Sequence, residues 1–248
     1  MDTRPAGRAA LAGRYPPDEV SLARRLVSVL GGRYSAELEI DVAAGDAEIE
    51  RWFLAATLFG TRISARIAER TFGELAAAGL ARIGQVGQVP AAELVELLDA
   101  GGYARYDFRT AARLLKLSEV VCDRFGGNVA SISHTTHSYP ELHSALDALP
   151  GWGEVTVRLF LRELRGVWPG ADPPLDERAA TAARHLGLLP SGAALSDLAD
   201  LANSARLDLR DLESGLVRLA LGHYRAMTSC PGGKACAALQ KRDDAGKQ

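Results

Sequence analysis

Apolar residues recur along most of this chain at the three- and four-residue spacing of amphipathic helices, as at Leu142, Ala145, Leu146 and Leu149. Clusters of glycine and proline separate these periodic stretches. The pattern predicts helices over residues 18–30, 46–59, 62–79, 90–100, 107–125, 139–149, 154–167, 176–187, 194–204, 208–226 and 233–241. Residues 34–42 alternate instead like a short strand. The predicted fold class is therefore all-α.

Composition sets wide limits on function. The chain has 248 residues, of which 47% are hydrophobic and 24% charged, enough for one large core or two smaller lobes. No apolar run is long enough for a membrane span, and residues 1–5 do not resemble a secretory signal, so we expect a cytoplasmic protein, nucleoid-associated if bacterial. The net charge of −2 does not exclude nucleic acid, because a local basic face is sufficient to bind phosphates.

The most informative segment is the turn Leu149-Pro150-Gly151-Trp152-Gly153, which separates two predicted helices. Gly151 and Gly153 can adopt positive φ and leave the backbone bare, so amides of the turn and of the next helix can approach a phosphate oxygen. The turn therefore indicates an anion site. The alternative is an αα-hairpin in which the glycines only permit a tight reversal.

Asp176 follows Pro173-Pro174 and precedes an alanine-rich stretch that ends at Gly187, as a helix N-cap would. Taken alone, it is a capping residue. Taken together, Leu149, Pro150, Gly151, Gly153 and Asp176 resemble the helix-hairpin-helix DNA glycosylase superfamily, which includes endonuclease III, adenine glycosylases and alkylpurine glycosylases. In that superfamily an L-P-G-x-G hairpin is followed by an aspartate that opens a helix, and residues 185–188 stand where its members often carry R-L-G-L.

Two upstream segments occur in the same order as in that superfamily. Residues 52–64 are similar to the apolar helix and loop that precede a DNA-intercalating residue, and residues 101–114 are similar to a G-[LFY]-Y…K-A-x-x-L segment. The resemblance covers about residues 46–225.

The resemblance implies a two-lobed helical fold with a DNA-binding cleft between the lobes. Residues 46–168 would form a six-helix barrel lobe that ends in the helix-hairpin-helix at 139–166. Residues 15–45 with 169–240 would form the second helical lobe, with Asp176 at the cleft. Residues 1–14 would be a flexible arm and 241–248 a polar tail.

The same resemblance implies a repair glycosylase that acts, as a monomer, on double-stranded DNA containing damaged bases. Asp176 would stabilise the oxocarbenium-like charge on the deoxyribose or orient a water. The target base would leave the stack, with Thr61 or Arg62 as the wedge, although both also suit an ordinary helix start. The hairpin residues Gly151, Trp152, Gly153 and Val155 would contact the DNA backbone.

Two departures from the superfamily narrow the expected chemistry. Bifunctional members carry a nucleophilic lysine where this chain has Val155, so we expect a monofunctional enzyme with weak or no lyase activity. Cys122, Cys230 and Cys236 cannot supply the superfamily's four-thiolate loop, so we expect no iron–sulfur cluster and no other cofactor. The spacing from Val155 to Asp176 is closer to that of alkylpurine glycosylases, which favours alkylated purines as substrates.

Other hypotheses remain open at this stage. His134, His137 and His143 are close enough in sequence for a zinc site, but their spacing is not a recognised ligand set, and we predict exposed loop histidines and no metal. A bifunctional glycosylase/lyase, a non-catalytic helix-hairpin-helix DNA-binding protein and a helical interaction module are the alternatives to a monofunctional glycosylase.

Overall fold

A computed structural model describes residues 14–61, 63–103, 107–136 and 138–240. These residues form helices and connecting turns with no strand, which confirms the all-α fold class. The α-helices are α1 (Pro17–Leu30), α2 (Tyr34–Glu37), α3 (Asp46–Phe59), α4 (Ala65–Ala77), α5 (Ile83–Val86), α6 (Ala91–Gly101), α7 (Asp107–Phe125), α8 (Ile132–Thr135), α9 (Tyr139–Asp147), α10 (Glu154–Glu163), α11 (Glu177–His185), α12 (Leu195–Ala205), α13 (Leu209–His223) and α14 (Ala237–Gln240). None of these helices is both long and apolar enough to cross a membrane.

The strand predicted at residues 34–42 is wrong. Tyr34 begins the single-turn helix α2, and Ile40 and Val42 in the following turn are buried. The alternating pattern arises because these side chains reach the core from a turn. A lone strand in an otherwise helical region would leave its backbone amides and carbonyls without partners.

The chain divides into two compact units, one from Leu38 to Pro173 and the other formed by the chain up to Glu37 together with the chain from Pro174 onward. The six-helix barrel and the cleft that the resemblance implies remain predictions, as do the arm at 1–14 and the tail at 241–248, of which only Arg14 lies within the described residues.

The unit from Leu38 to Pro173 is built around α3. Its residues 52–58 are all buried, and Phe53 stacks on Trp152 with a centroid distance of 4.5 Å. Phe160 of α10 contacts both rings edge-on, at 5.8 and 5.3 Å. This aromatic cluster fixes the hairpin between α9 and α10 to the centre of the unit.

The other unit is organised by α11 and α13. Ala179, Ala182 and Ala183 of α11 are fully buried, and small side chains of this kind allow two helices to approach closely. α1 and α12 also pack against α13. Asp176 and Asp208 cap α11 and α13 by accepting hydrogen bonds from the amides of Arg178 and Arg210, each at 2.8 Å.

Candidate functional site

The hairpin is a tight turn from α9 into α10. Gly151 has a φ of +80°, in the left-handed region that favours glycine, whereas Gly153 is extended with a φ of −166°. A Cβ on Gly151 would lie 2.2 Å from Cδ of Arg113, so a side chain there would displace the arginine. Gly153 is the N-cap of α10, and no side-chain cap of this helix is found among the described residues, so its first amides remain open for an anion.

The structure places the two flanking hairpin residues differently. The indole of Trp152 is buried at 7% exposure, and its Nε1 donates a hydrogen bond to Oγ1 of Thr57 at 3.1 Å. The side chain of Trp152 therefore belongs to the core. The contact of this residue with DNA stays a prediction, and its backbone would make it. Val155, in the first turn of α10, is 53% exposed.

The loop after α3 lies against the start of α10. A Cβ on Gly60 would lie 1.9 Å from Oγ1 of Thr156, so the glycine permits this close approach. The contact brings the segment that was expected to hold the wedge next to the hairpin.

A pocket of about 690 Å³ opens between this loop, the end of α6, the start of α7 and the hairpin. We call it the hairpin pocket, and its lining residues are Gly60, Thr61, Ile63, Tyr103, Arg109, Thr110, Arg113 and Gly151. Thr61 and Gly151, both predicted from the sequence as DNA-binding residues, thus share one pocket with two arginines. Arg62, the other predicted wedge residue, lies outside the described residues.

A small hydrogen-bond network fixes the wall of the hairpin pocket. The hydroxyl of Thr61 donates to the carbonyl of Leu58 at 2.8 Å and lies 3.0 Å from the hydroxyl of Tyr103, which donates to the same carbonyl at 3.2 Å. Burial raises the pKa of Tyr103, so its phenol stays neutral. Thr61 is therefore tied to the end of α3, and its use as a wedge would require these bonds to break.

Arg113 is the most informative residue in the pocket. Its Nε and Nη2 atoms are buried and have no hydrogen-bond partner among the described residues. Burial lowers the pKa of this arginine, and the nearby Arg109 acts in the same direction. A guanidinium remains charged even so, and buried donors without partners are rare in folded proteins. The two N–H groups beside the bare backbone of Gly151 are suited to an anion that binds from outside.

Sequence reasoning did not single out Arg113 as a site residue. It stands on an amphipathic helix, where an arginine is usually a solvated surface residue, and in the fold its stem lies against Gly151. The glycine itself was the available signal, since a bare backbone implies that another group lies close to it.

Asp176 lies in the other unit and is half-buried at the start of α11. Its Oδ1 accepts the Arg178 amide, which confirms the predicted cap, and no hydrogen bond to Oδ2 is found among the described residues. Its own amide donates to Oε1 of Glu213 at 3.2 Å, and Glu213 is buried on α13. The carboxylate is thus held through one oxygen and the backbone, which leaves the second oxygen for a reacting group.

No lysine in the described residues lines the hairpin pocket. Lys116 pairs with Glu119 at 2.8 Å on α7, and Lys234 pairs with Asp18 at 2.5 Å. Val155, the residue predicted to stand in place of a lyase lysine, is exposed.

The loop histidines do not form a metal site within the described part of the chain. His143 is 2.5 Å from a carboxylate oxygen of Glu154, His134 lies on α8, and His137 is outside the described residues. One convergent set of potential metal ligands does exist among the described residues, at His185, His223, Cys230 and Cys236.

A second polar pocket, of about 310 Å³, lies at the start of α3 and includes Glu50, Arg82 and Asn128. The Glu50 carboxyl is only 6% exposed and accepts the amide of Ala130 at 3.2 Å. Burial raises the pKa of Glu50 to about 7.

Comparisons with known proteins give a likeness in structure. No protein-family model matches the sequence, and no curated protein matches it. Among solved structures, the chain is similar to a 3-methyladenine DNA glycosylase of H. pylori bound to 1,N6-ethenoadenine. The two chains are 12% identical, the match covers 84% of this chain and 98% of that chain, and the TM-score is 0.49.

Proposed function

We propose that this protein is a DNA repair glycosylase that binds duplex DNA through the hairpin pocket and hydrolyses the N-glycosidic bond of a damaged base with Asp176. The observation that carries this proposal is the two buried donor nitrogens of Arg113 beside Gly151, which have no hydrogen-bond partner among the described residues. Buried cationic donors next to an open helix N-terminus are suited to a phosphate. A DNA strand supplies such phosphates in a row.

In this proposal, the hairpin pocket binds the DNA strand. Arg109 and Arg113 supply charge, and the backbone of Gly151, Gly153 and Val155 supplies amides. The loop of Thr61 and Arg62 remains the proposed source of a wedge for the extruded base.

In the proposed reaction, the bond between C1′ of the deoxyribose and the base nitrogen breaks, and positive charge develops on the sugar. A carboxylate oxygen of Asp176 stabilises that charge or orients the attacking water. Water adds its hydroxide to C1′. Its proton goes to the departing base when that base is uncharged in DNA, and to solvent when the base is a cationic alkylated purine, which leaves neutral. Alkylated purines are the favoured substrates, because the positive charge that they already carry makes them good leaving groups.

We propose a monofunctional enzyme. Lyase chemistry needs an amine that attacks C1′, and Val155 offers none. Lys116 and Lys234 are engaged in surface ion pairs. The resident iron–sulfur cluster of the endonuclease III group is not part of the proposal, because three cysteines do not supply its four thiolates.

The test is to measure base release by mass spectrometry from duplexes that contain methylated, oxidised or ethenoadenine bases. We expect release by the wild type and none by Asp176→Asn. Asparagine is as good an N-cap as aspartate, so this variant keeps the helix start and loses the charge. The matched control is Asp208→Asn, the same substitution at the N-cap of α13, which should retain release.

Other results would support the alternatives. Salt-sensitive duplex binding without release of any base would indicate a non-catalytic DNA-binding protein. No duplex binding even at low salt would indicate a helical interaction module. Nicking at the emptied site, with a borohydride-trapped covalent complex, would show a bifunctional enzyme and overturn the monofunctional assignment.

A further inference from the structure

Two histidines and two cysteines converge at the carboxyl ends of α11 and α13. One potential ligand atom from each of His185, His223, Cys230 and Cys236 lies within 4.8 Å of all the others. His185 is the last residue of α11 and His223 the last of α13. The two cysteines belong to the segment that follows α13.

The loop between the cysteines is shaped to reach the histidines. It reads Cys230-Pro231-Gly232-Gly233-Lys234-Ala235-Cys236, and both glycines have positive φ, +70° and +53°. A Cβ on Gly232 would lie 2.2 Å from the carbonyl oxygen of His185, so only glycine permits this approach. The loop therefore folds back onto the end of α11 and brings both sulfurs to the rings.

The histidines carry nitrogen atoms that lack a partner. Nε2 of His185 and Nε2 of His223 are both buried, and neither has a hydrogen-bond partner among the described residues. Buried ring nitrogens are normally satisfied by protein, water or metal. Two such nitrogens, on histidines that cluster with two thiols, point to a ligand that the four groups share.

The charges also favour a cation. Two thiolates side by side repel each other, and a divalent ion removes that repulsion and gives a site with no net charge. The negative ends of two helix dipoles favour a cation further.

We propose that His185, His223, Cys230 and Cys236 bind one tetrahedral Zn²⁺ ion. Zinc–sulfur bonds of about 2.3 Å and zinc–nitrogen bonds of about 2.0–2.1 Å place the ligand atoms roughly 3.3–3.8 Å apart, which a small contraction of the present cluster achieves. The ligands of an iron–sulfur cluster bind different iron atoms and lie farther apart. The geometry therefore favours a single ion, of the closed structural kind.

This proposal replaces the prediction that the chain has no metal. That prediction rejected the loop histidines as zinc ligands and weighed the cysteines only against an iron–sulfur cluster, whereas His185 and His223 complete a set with Cys230 and Cys236. The site is independent of the proposed glycosylase activity, and its role is to fasten the ends of α11 and α13 to the C-terminal loop.

The test is to purify the full chain under reducing conditions, measure zinc and iron by elemental analysis, and reconstitute metal-free protein with Zn²⁺ or Co²⁺. We expect about one zinc per chain, and thiolate-to-cobalt absorption with the intense visible bands of tetrahedral cobalt. Cys230→Ser and Cys236→Ser should lose metal. Cys122→Ser, at the exposed cysteine of α7 in the other unit, is the control and should keep it.

The wild-type stoichiometry and cobalt spectrum test the proposal even if the variants fail to fold. Failure to bind either metal after reconstitution would overturn it. A brown protein with several irons and inorganic sulfide would replace the single ion with a cluster. The proposal would also be overturned if Cys230 and Cys236 formed a disulfide that persisted after treatment with reductant and addition of metal.

Discussion

Replacing Arg113 with methionine should make the protein more stable and weaken its binding to DNA. The perturbation removes the guanidinium but keeps an unbranched stem to cover Gly151. Each buried donor without a partner costs about 1–3 kcal/mol in the folded state, and two donor nitrogens of Arg113 have no partner in the part of the chain that the structure describes. Allowing for imperfect packing of the methionine, we expect a gain in unfolding free energy of roughly 1–2 kcal/mol.

The expected loss in binding follows from the same two donors. Hydrogen bonds to a charged group contribute about 1.5–3 kcal/mol, so the Kd for duplex DNA should rise by roughly 10- to 100-fold. The slope of log K against log salt should fall by about 0.9, the value for one phosphate contact. Urea denaturation measures the stability, and fluorescence anisotropy at several salt concentrations measures the binding.

The control for this variant is Arg109→Met. Arg109 lines the same pocket but is exposed, so its loss should change the stability by no more than about 0.5 kcal/mol. The reasoning would be refuted if Arg113→Met lowered the stability and left DNA affinity unchanged, because the guanidinium would then be a structural group.

Two further predictions concern the rest of the same unit. The pKa of Glu50 is raised from 4.5 to about 7, so the folded state binds this proton more tightly than the unfolded state does. This contribution to the free energy of unfolding is fully present below pH 4.5 and is lost as the pH rises to about 7. Glu50→Gln should abolish this pH dependence, and urea titrations at pH 8 should show the variant to be more stable than the wild type by up to roughly 3 kcal/mol. If the stabilities of the two proteins changed in parallel with pH, the raised pKa of Glu50 would be contradicted. Gly151→Ala should cost about 1–2 kcal/mol for its positive φ, and more if Arg113 cannot move. Gly153→Ala should cost less, because a Cβ there meets nothing within 4 Å. If thermal unfolding showed that the two variants lose the same stability, this account of the turn would be contradicted.

The helices that could be predicted from the sequence are those with strong local signals. α7 spans the predicted residues 107–125, and α11 begins after the predicted cap Asp176. In both cases the apolar spacing and the capping or breaking residues lie within the segment itself. The four-residue helices α2, α5 and α8 were not predicted, because a single turn is too short to show a period.

The sequence predicts the parts of the candidate site that lie within one short segment, but not the parts that depend on contacts between distant segments. The hairpin glycines are recognisable from residue type, but the inward orientation of Trp152 depends on Phe53 and Phe160, which are distant in the sequence. Three of the proposed zinc ligands, His223, Cys230 and Cys236, lie close together in the sequence, whereas His185 is distant from them. The packing of α11 on α13 brings His185 to the other three, and no local pattern encodes that packing.

The burial of Trp152 has a consequence for how the hairpin would meet a ligand. A loop whose central side chain stacks on Phe53 and donates to Thr57 is ordered when the chain folds. The conformational entropy of this turn is therefore lost during folding, and association need not order it again. Recognition at the hairpin would resemble the docking of a rigid template, with a rate set by diffusion and electrostatic steering instead of by loop rearrangement.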